Sequence, residues 1–343
     1  MSAPWRTANE KCFWYSRSAF ALAAIESWWR KAYENRPAIV WLPDYFCNQS
    51  LLPLRQTGAK IVFYPISEDL SPDWAKCRAL LNKSSPDLLV LVHYFGIESD
   101  GETAAQFCRQ SGALLIEDAA HVLRPYGGIG RYGDFVFYSP HKVLPVPDGA
   151  ILLAKPSERT PQPELLNCSG LSNSGTIHSR WMIKRALQRL LPRFLLRLRN
   201  RALPEFDFDP ILQELESDGG LSVLSQRILA RHLPNFEQIS AARKKNANTL
   251  RNLAANTTSI QRSVLDASYR LVIPFSDPID ARRAYDRCRT QGVPVESWPD
   301  LPPEVISKPL DHIVARKFRD GFVFLPIHQT LSERDLVRMV IEK

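Results

Sequence analysis

The sequence predicts an α/β fold in which helices flank a mostly parallel central sheet. From residue 38 onward, short runs rich in Val, Ile and Leu alternate with amphipathic segments. Continuous apolar strands are typical of a parallel sheet whose two faces are covered by helices. A chain of 343 residues also favours two domains. We place a large domain at residues 1–220, and a connector helix with a smaller C-terminal α+β domain at residues 221–343.

Composition excludes several classes of protein. The chain is 45% apolar and 23% charged, as in ordinary globular proteins. No apolar run reaches the roughly 18–20 residues that cross a bilayer, and the charged N-terminal segment does not resemble a secretory signal. The six cysteines are scattered without a CxxC pair. We therefore expect no metal site and no disulfide framework, and a cytoplasmic protein.

The net charge of +8 does not indicate a nucleic-acid-binding surface. Residues 180–201 contain eight Lys or Arg residues and no acidic residue, so this segment accounts for the whole excess. Its apolar residues fall on one helical face. Two interpretations follow: a solvated basic face over a buried apolar stripe, which we expect, or a helix that docks on a membrane surface or a partner.

The first predicted element is a helix at residues 18–30, with Ser18 as a plausible N-cap. The polar turn Ser16-Arg17-Ser18 precedes it. Free backbone N–H groups and the helix dipole make such a turn suitable for binding phosphate, although an ordinary helix cap has the same pattern.

The alternating region supplies the predicted sheet. Its strands are residues 38–42, 60–64, 88–93, 114–116, 135–138 and 150–153, and its helices are residues 46–56, 72–82 and 102–111. The C-terminal part contains a helical region at residues 221–255 interrupted at Pro234, strands at 269–273 and 323–325, helices at 280–291 and 332–341, and a proline-rich loop at 294–309.

Polar residues follow the predicted strands where each strand ends. Tyr45, His93, Asp118 and Ser139 all fall at or just past a strand end, and Lys142 comes three residues after Ser139. Ligands of parallel sheets collect beyond the carboxyl ends of the strands. A lysine with a carboxylate at a neighbouring strand end suits a Schiff-base cofactor, because the amine forms the imine and the carboxylate holds a proton on the cofactor ring.

Six segments resemble the DegT/StrS-type aminotransferases, which are fold-type-I enzymes that use pyridoxal 5′-phosphate. The most specific is IEDAAH at residue 116, followed by Lys142 in GDFVFYSPHKVLPVPDGA. The other segments are SRSAFALAA, WLPDYFCNQS, LVHYFG and LPIHQTLSERD, in the same order as in the family.

The resemblance implies a role for each matched residue. Lys142 would hold the cofactor as a Schiff base, and Asp118 would pair with its pyridinium nitrogen. His121 would lie near the cofactor ring. The remaining cofactor-binding residues are Ser139 with Ser16, Arg17 and Ser18 at the phosphate, and Tyr45 or Phe46 beside the ring.

The resemblance also implies a reaction and an assembly. An amino group would pass from glutamate or glutamine to a keto-sugar, typically a nucleotide-linked one, in a homodimer with shared active sites. Two alternatives remain open: dehydration or elimination on the same fold, and a non-catalytic binding protein of this fold.

Overall fold

The computed structural model describes residues 1–33, 35–166, 175–190, 204–206, 219–253 and 268–339. The remaining part of the predicted segment at 180–201, residues 191–201, lies outside these ranges. So do the ends of the helical region predicted at 221–255 and of the helix predicted at 332–341.

A seven-stranded sheet forms the centre of the structure. Five neighbouring strands run parallel, and β7 lies antiparallel between β6 and β1. The strands are β1 (Lys11–Tyr15), β2 (Ile39–Pro43), β3 (Lys60–Tyr64), β4 (Leu88–Val92), β5 (Leu114–Ala119), β6 (Phe135–Tyr138) and β7 (Ala150–Ala154), in the order β1-β7-β6-β5-β4-β2-β3. The predicted α/β fold with a mostly parallel sheet is therefore confirmed.

Helices connect the parallel strands and cover the sheet. In the first part of the chain they are α1 (Ser18–Ala32), α2 (Leu52–Gln56), α3 (Trp74–Leu81), α4 (Gly101–Ser111), α5 (Pro140–Val143) and α6 (Gly175–Leu190). The later helices are α7 (Val223–His232), α8 (Phe236–Leu253), α9 (Pro278–Thr290), α10 (Pro303–Ile306), α11 (Ile313–Gly321) and α12 (Glu333–Val337).

A second, antiparallel sheet contains β8 (Arg270–Pro274) and β9 (Phe322–Pro326). One of its faces belongs to a separate apolar cluster with α8 and α9, which includes Leu271 and Tyr285. The opposite face contributes Val272 and Phe324 to the main core of the large sheet. Alternation along the two strands thus gives each face its own core.

The segment that follows residue 220 still packs against the large sheet. Leu229 of α7 and Phe236 of α8 pack in one cluster with Val136 and Ile151 of the large sheet. The domain division at residues 220 and 221 stays a prediction.

The structure differs from the sequence-based expectations at four places. The strand β1 and the helix α11 were not predicted, and a short helix, α10, lies in the predicted proline-rich loop. The expectation that the apolar stripe of residues 180–201 is buried is wrong for the described part. Ile183, Leu187 and Leu190 are 60%, 49% and 81% exposed, because no described element covers that face of α6.

Candidate active site

A cavity lies at the carboxyl edge of the large sheet. The strand register explains its position, since Asp118 near the end of β5 is paired with Val92 of β4 on one side and Phe137 of β6 on the other. Five residues predicted from the sequence line this cavity, namely Ser18, Phe46, Asp118, His121 and Lys142.

Lys142 reaches the cavity from the short helix α5. Ser139 stands at the N-cap of this helix, and the Lys142 backbone N–H donates to the Ser139 carbonyl at 3.0 Å. Burial lowers the pKa of the Lys142 amine, whereas the nearby Asp118 carboxylate opposes this shift. A lysine with a lowered pKa is neutral more often, and only a neutral amine can act as a nucleophile or a base.

Asp118 is held rigidly beside this amine. Its carboxylate is 8% exposed and accepts the Ala120 backbone N–H at 2.9 Å, while its carbonyl accepts the His93 N–H at 3.0 Å. Burial raises the pKa of Asp118, and the positive charge of Lys142 opposes that shift. The pair is thus a buried carboxylate near the end of β5 and an amine on helix α5, and both line the same cavity.

His121 is fixed between two aromatic rings. It stacks on Phe95 at 5.4 Å and on Tyr269 at 5.5 Å between ring centroids. Its Nδ1 accepts the Phe95 backbone N–H at 3.2 Å. Burial, together with the Lys142 charge, lowers the pKa of His121 well below 6.5. The imidazole is therefore neutral with its proton on Nε2, so this nitrogen acts as a donor.

The predicted phosphate turn is only partly at the cavity. Ser18 lines it, whereas Ser16 is buried and its backbone pairs with Gly149 and Gly219. Arg17 stands half-buried at the N-cap of α1. Burial lowers the pKa of Arg17 and the Asp148 carboxylate opposes this shift. The Arg17 cation and the N-terminus of α1 together favour the binding of an anion at this turn.

A match to a known family covers most of these elements. The sequence matches the model of the DegT/DnrJ/EryC1/StrS aminotransferase family over residues 49–275. This range is more than half of the chain and includes Asp118, His121 and Lys142. The protein belongs to the DegT/DnrJ/EryC1/StrS aminotransferase family. It is a pyridoxal-phosphate-dependent aminotransferase, as the resemblance implied.

Solved structures of aminotransferases share the fold. Helicobacter pylori PseC, an aminotransferase involved in the biosynthesis of pseudoaminic acid, is 15% identical with a TM-score of 0.69, over 96% of this chain and 84% of that chain. The aminotransferase TlmJ from Streptoalloteichus hindustanus is 17% identical with a TM-score of 0.67, over 96% and 83%. A DegT/DnrJ/EryC1/StrS aminotransferase from Brucella abortus is 15% identical with a TM-score of 0.66, over 96% and 84%. The fold is accordingly that of fold-type-I transferases.

The residues of this aminotransferase fit the phosphorylated pyridine of the family's cofactor. Ser139 is fully buried, and its Oγ has no hydrogen-bond partner among the described residues. Leaving a buried hydroxyl unpaired is costly, so a ligand oxygen is the natural partner. Together with Ser18 and Arg17 at the N-terminus of α1, this hydroxyl suits a phosphate group.

The structure places Tyr45 and Phe46 differently with respect to the cavity. Phe46 lines the cavity, whereas Tyr45 is fully buried and stacks on Trp298 at 4.2 Å. The aromatic side chain that faces the cavity from this loop is therefore Phe46.

Sequence reasoning missed the residues that reach the cavity from the C-terminal part. Trp298 lies in the proline-rich segment and lines the cavity. Tyr269, immediately before β8, lies near the cavity: its ring centre is 5.9 Å from the Lys142 Nζ, and its hydroxyl donates to Glu296 at 2.9 Å. The signal available in the sequence was weak, since neither residue follows a strand of the large sheet.

Proposed function

We propose that this aminotransferase transfers an amino group from glutamate or glutamine to a keto-sugar, and that this keto-sugar is linked to a nucleotide. The observation that carries the proposal is the convergence of Lys142 and Asp118 on one cavity at the sheet's carboxyl edge. The family supports the reaction type. A putative sugar aminotransferase from Streptococcus pneumoniae has the same fold, with 13% identity and a TM-score of 0.68 over 98% of this chain and 86% of that chain, which supports the sugar.

The bound cofactor supplies an electron sink for the negative charge that develops when the donor loses its α-proton. The Asp118 carboxylate holds a proton on the pyridine nitrogen, and this proton keeps the sink effective. Its rigid hydrogen bonds mean that no reorganisation is needed as charge develops.

Lys142 has two roles in this proposal. It holds the cofactor in the resting enzyme, and its freed amine then carries the proton that leaves the donor carbon. Both roles require a neutral amine, and burial lowers the pKa of Lys142 in the direction that supplies one.

The other predicted residues orient and enclose the reacting groups. Ser139, Ser18 and Arg17 bind the phosphate, with Ser16 shaping the turn through its backbone. His121 donates from Nε2 toward the ring region, because its Nδ1 is already occupied. Phe46 and Trp298 form apolar walls that exclude water, and Tyr45 supports Trp298 from behind.

We further propose a cytoplasmic homodimer whose active sites contain residues from both subunits. The five described cysteines are all free thiols, which supports a reducing compartment. The dimer rests on the fold-type-I architecture, in which subunits generally share their sites.

The lysine assignment is tested by spectroscopy of the enzyme purified with its cofactor. We expect a visible absorption band that is lost in Lys142→Ala, together with a loss of transamination of at least about 100-fold. Lys83→Ala, which removes an exposed lysine, serves as the control and should keep both the absorption band and the transamination activity. Persistence of the band in Lys142→Ala would overturn the assignment.

The reaction class is tested by mixing the enzyme with an amino donor alone. Glutamate should bleach the band and release 2-oxoglutarate before any acceptor is added, and steady-state kinetics with a keto-sugar should be ping-pong. Nucleotide-linked and free keto-sugars are then compared by donor consumption. Conversion of a sugar without consumption of the amino donor would show that the enzyme catalyses dehydration or elimination and not transamination.

A further inference from the structure

Helix α6 presents an apolar face to solvent. Met182, Ile183, Leu187 and Leu190 are 54%, 60%, 49% and 81% exposed. At roughly 100° per residue these four side chains lie within an arc of about 140° on the helix. A contiguous apolar face of this kind on a surface helix indicates an interaction site.

The opposite edge of α6 faces the protein. Trp181 and Arg185 are half-buried, and the Arg185 guanidinium lies 5.3 Å from the centre of the Trp181 ring. Arg185 also contributes to the lowered pKa of His328, which follows β9. Because these two residues face inward, the apolar arc of Met182, Ile183, Leu187 and Leu190 faces outward.

The sequence segment that contains this arc carries only basic charges. Arg180 and Lys184 are exposed beside the apolar residues. Residues 175–204 contain no Asp or Glu, and eight Lys or Arg residues fall within 180–201. A basic polar face with an exposed apolar face is the pattern of helices that lie in the surface of an anionic membrane.

We propose that α6 docks this aminotransferase on an anionic lipid bilayer, with Met182, Ile183, Leu187 and Leu190 among the acyl chains and Arg180 and Lys184 at the headgroups. The helix lies on the membrane and does not cross it. Its 16 residues span about 24 Å, less than a hydrocarbon core of roughly 30 Å. No helix of the described ranges is long and apolar enough to span a bilayer.

Charge argues against a contact between two α6 helices at this face. A two-fold contact between α6 helices would bring Arg180 and Lys184 near their own copies, and the segment has no carboxylate to compensate them. Anionic lipid headgroups compensate the same charges directly.

Flotation of the full-length holoenzyme with lipid vesicles tests this proposal. We expect binding to phosphatidylcholine vesicles that contain phosphatidylglycerol, weak binding to phosphatidylcholine alone, and loss of binding at high salt. The double variant Ile183→Asp/Leu187→Asp should bind at least about tenfold more weakly, as should Arg180→Glu/Lys184→Glu.

The matched control is Leu310→Asp/Ile313→Asp, which introduces two carboxylates at apolar residues elsewhere that are at least as exposed, at 84% and 61%. It should bind anionic vesicles like the wild type. Circular dichroism and the unfolding temperature verify that each variant is folded, and transamination without vesicles should be unchanged in all three. The activity measurement keeps this proposal separate from the proposed function.

Two results would overturn membrane docking. One is a flotation experiment in which the wild-type protein does not float with anionic vesicles, or in which the α6 variants float as well as the wild type. The other is a change in molecular mass from dimer to monomer in Ile183→Asp/Leu187→Asp without vesicle binding, which would identify a second copy as the occupant.

Discussion

Two adjacent carboxylates on β5 illustrate how position decides the role of a residue. Successive side chains of a strand point to opposite faces, so Glu117 and Asp118 face different surroundings. Glu117 accepts the backbone N–H groups of Gly130, Tyr132 and Gly133 at 2.7, 2.8 and 2.5 Å, and a hydrogen bond from His93 Nε2 at 2.9 Å. Glu117 therefore organises a loop, whereas Asp118 faces the cavity.

Electrostatics reinforces this division. Burial acts to raise the pKa of Glu117, but the hydrogen bonds from His93 and the loop outweigh it and lower that pKa. Asp118 has fewer donors, and burial raises its pKa. A buried carboxylate with few protein partners remains available to pair with a ligand cation.

We predict opposite outcomes for the two amide substitutions. Glu117→Gln should lower the free energy of unfolding by about 2–4 kcal/mol, because an amide group replaces one acceptor oxygen among several donors. Asp118→Asn should cost about 1 kcal/mol at most, since an amide oxygen can still accept the Ala120 N–H. It should nevertheless reduce transamination about 100-fold or more.

Urea denaturation and donor turnover measure these two effects. His93→Asn, which removes one hydrogen bond to Glu117 and the bond that His93 Nδ1 accepts from the Ser99 N–H, should also lower the free energy of unfolding. A Glu117→Gln enzyme of wild-type stability, or an Asp118→Asn enzyme of wild-type activity, would contradict the division of roles.

At the scale of elements, Gly149 connects three parts of the site. Its N–H donates to the Ser16 carbonyl at 2.8 Å, and its carbonyl accepts the His141 Nδ1–H at 2.9 Å. Its φ of 138° is a conformation that L side chains rarely adopt. One glycine before β7 thus joins the turn that precedes α1 to helix α5, which carries Lys142.

Gly149→Ala should therefore affect both stability and the cofactor. We expect the free energy of unfolding to fall by about 1–3 kcal/mol from backbone strain. The cofactor should also bind more weakly, because the turn and α5 shift relative to each other. Equilibrium dialysis of the apoenzyme with cofactor measures the second effect.

Gly112→Ala is the control for strain alone. Gly112 ends α4 with a φ of 79°, and nothing lies within 4 Å of an added Cβ. This variant should lose about 1 kcal/mol of stability and bind the cofactor like the wild type. Equal cofactor binding by both variants would contradict the connecting role of Gly149.

The elements that sequence reasoning found are those with a strong local pattern. Buried parallel strands such as β4 are continuous apolar runs, so their bounds were nearly exact. β1 was missed because its sequence, KCFWY, carries only a short mixed pattern and becomes a strand by pairing antiparallel with β7, which is distant in sequence. Helix α11 was missed because it follows a proline-rich stretch.

Helix α6 shows a different limit of the sequence. Periodicity correctly indicated an amphipathic helix there. It could not indicate what covers the apolar face, because the pattern of an exposed stripe and of a buried one is the same. Only the exposure of Ile183, Leu187 and Leu190 in the folded chain distinguishes them.

At the scale of the whole molecule, the cavity is assembled from parts that are far apart in sequence. Lys142 and Asp118 could be predicted because both follow strands of one sheet, whose carboxyl ends share an edge. Trp298 could not, because it reaches the cavity only through the packing of the C-terminal part against the main core. Such contacts have no local signature.

The whole molecule should also lose stability in mild acid. Burial is the first cause that lowers the pKa of three histidines: His121 well below 6.5, His141 to about 3 and His328 to about 4. In the unfolded chain each titrates near 6.5. Below that pH the unfolded state binds more protons than the folded state, so the free energy of unfolding falls as the pH falls.

The linkage between proton binding and folding sets an upper limit on this loss of stability. Each histidine contributes up to about 1.4 kcal/mol per pH unit below its unfolded pKa. The raised pKa values of Asp118 and Asp44 act in the opposite direction. That stabilisation grows as the pH falls below their folded-state values and is complete only below about 3.8, the value for an unfolded Asp. Between about pH 6.5 and 5 the histidines should dominate.

Urea denaturation from about pH 8 to about pH 5 tests this prediction. His141→Asn keeps a side-chain N–H for the Gly149 carbonyl but cannot be protonated. Its stability should therefore decline less steeply below pH 6.5 than that of the wild type, by up to about 1.4 kcal/mol per pH unit. A wild-type profile that is flat or rises toward pH 5, or a His141→Asn profile of equal slope, would show that His141 is not held neutral by the fold.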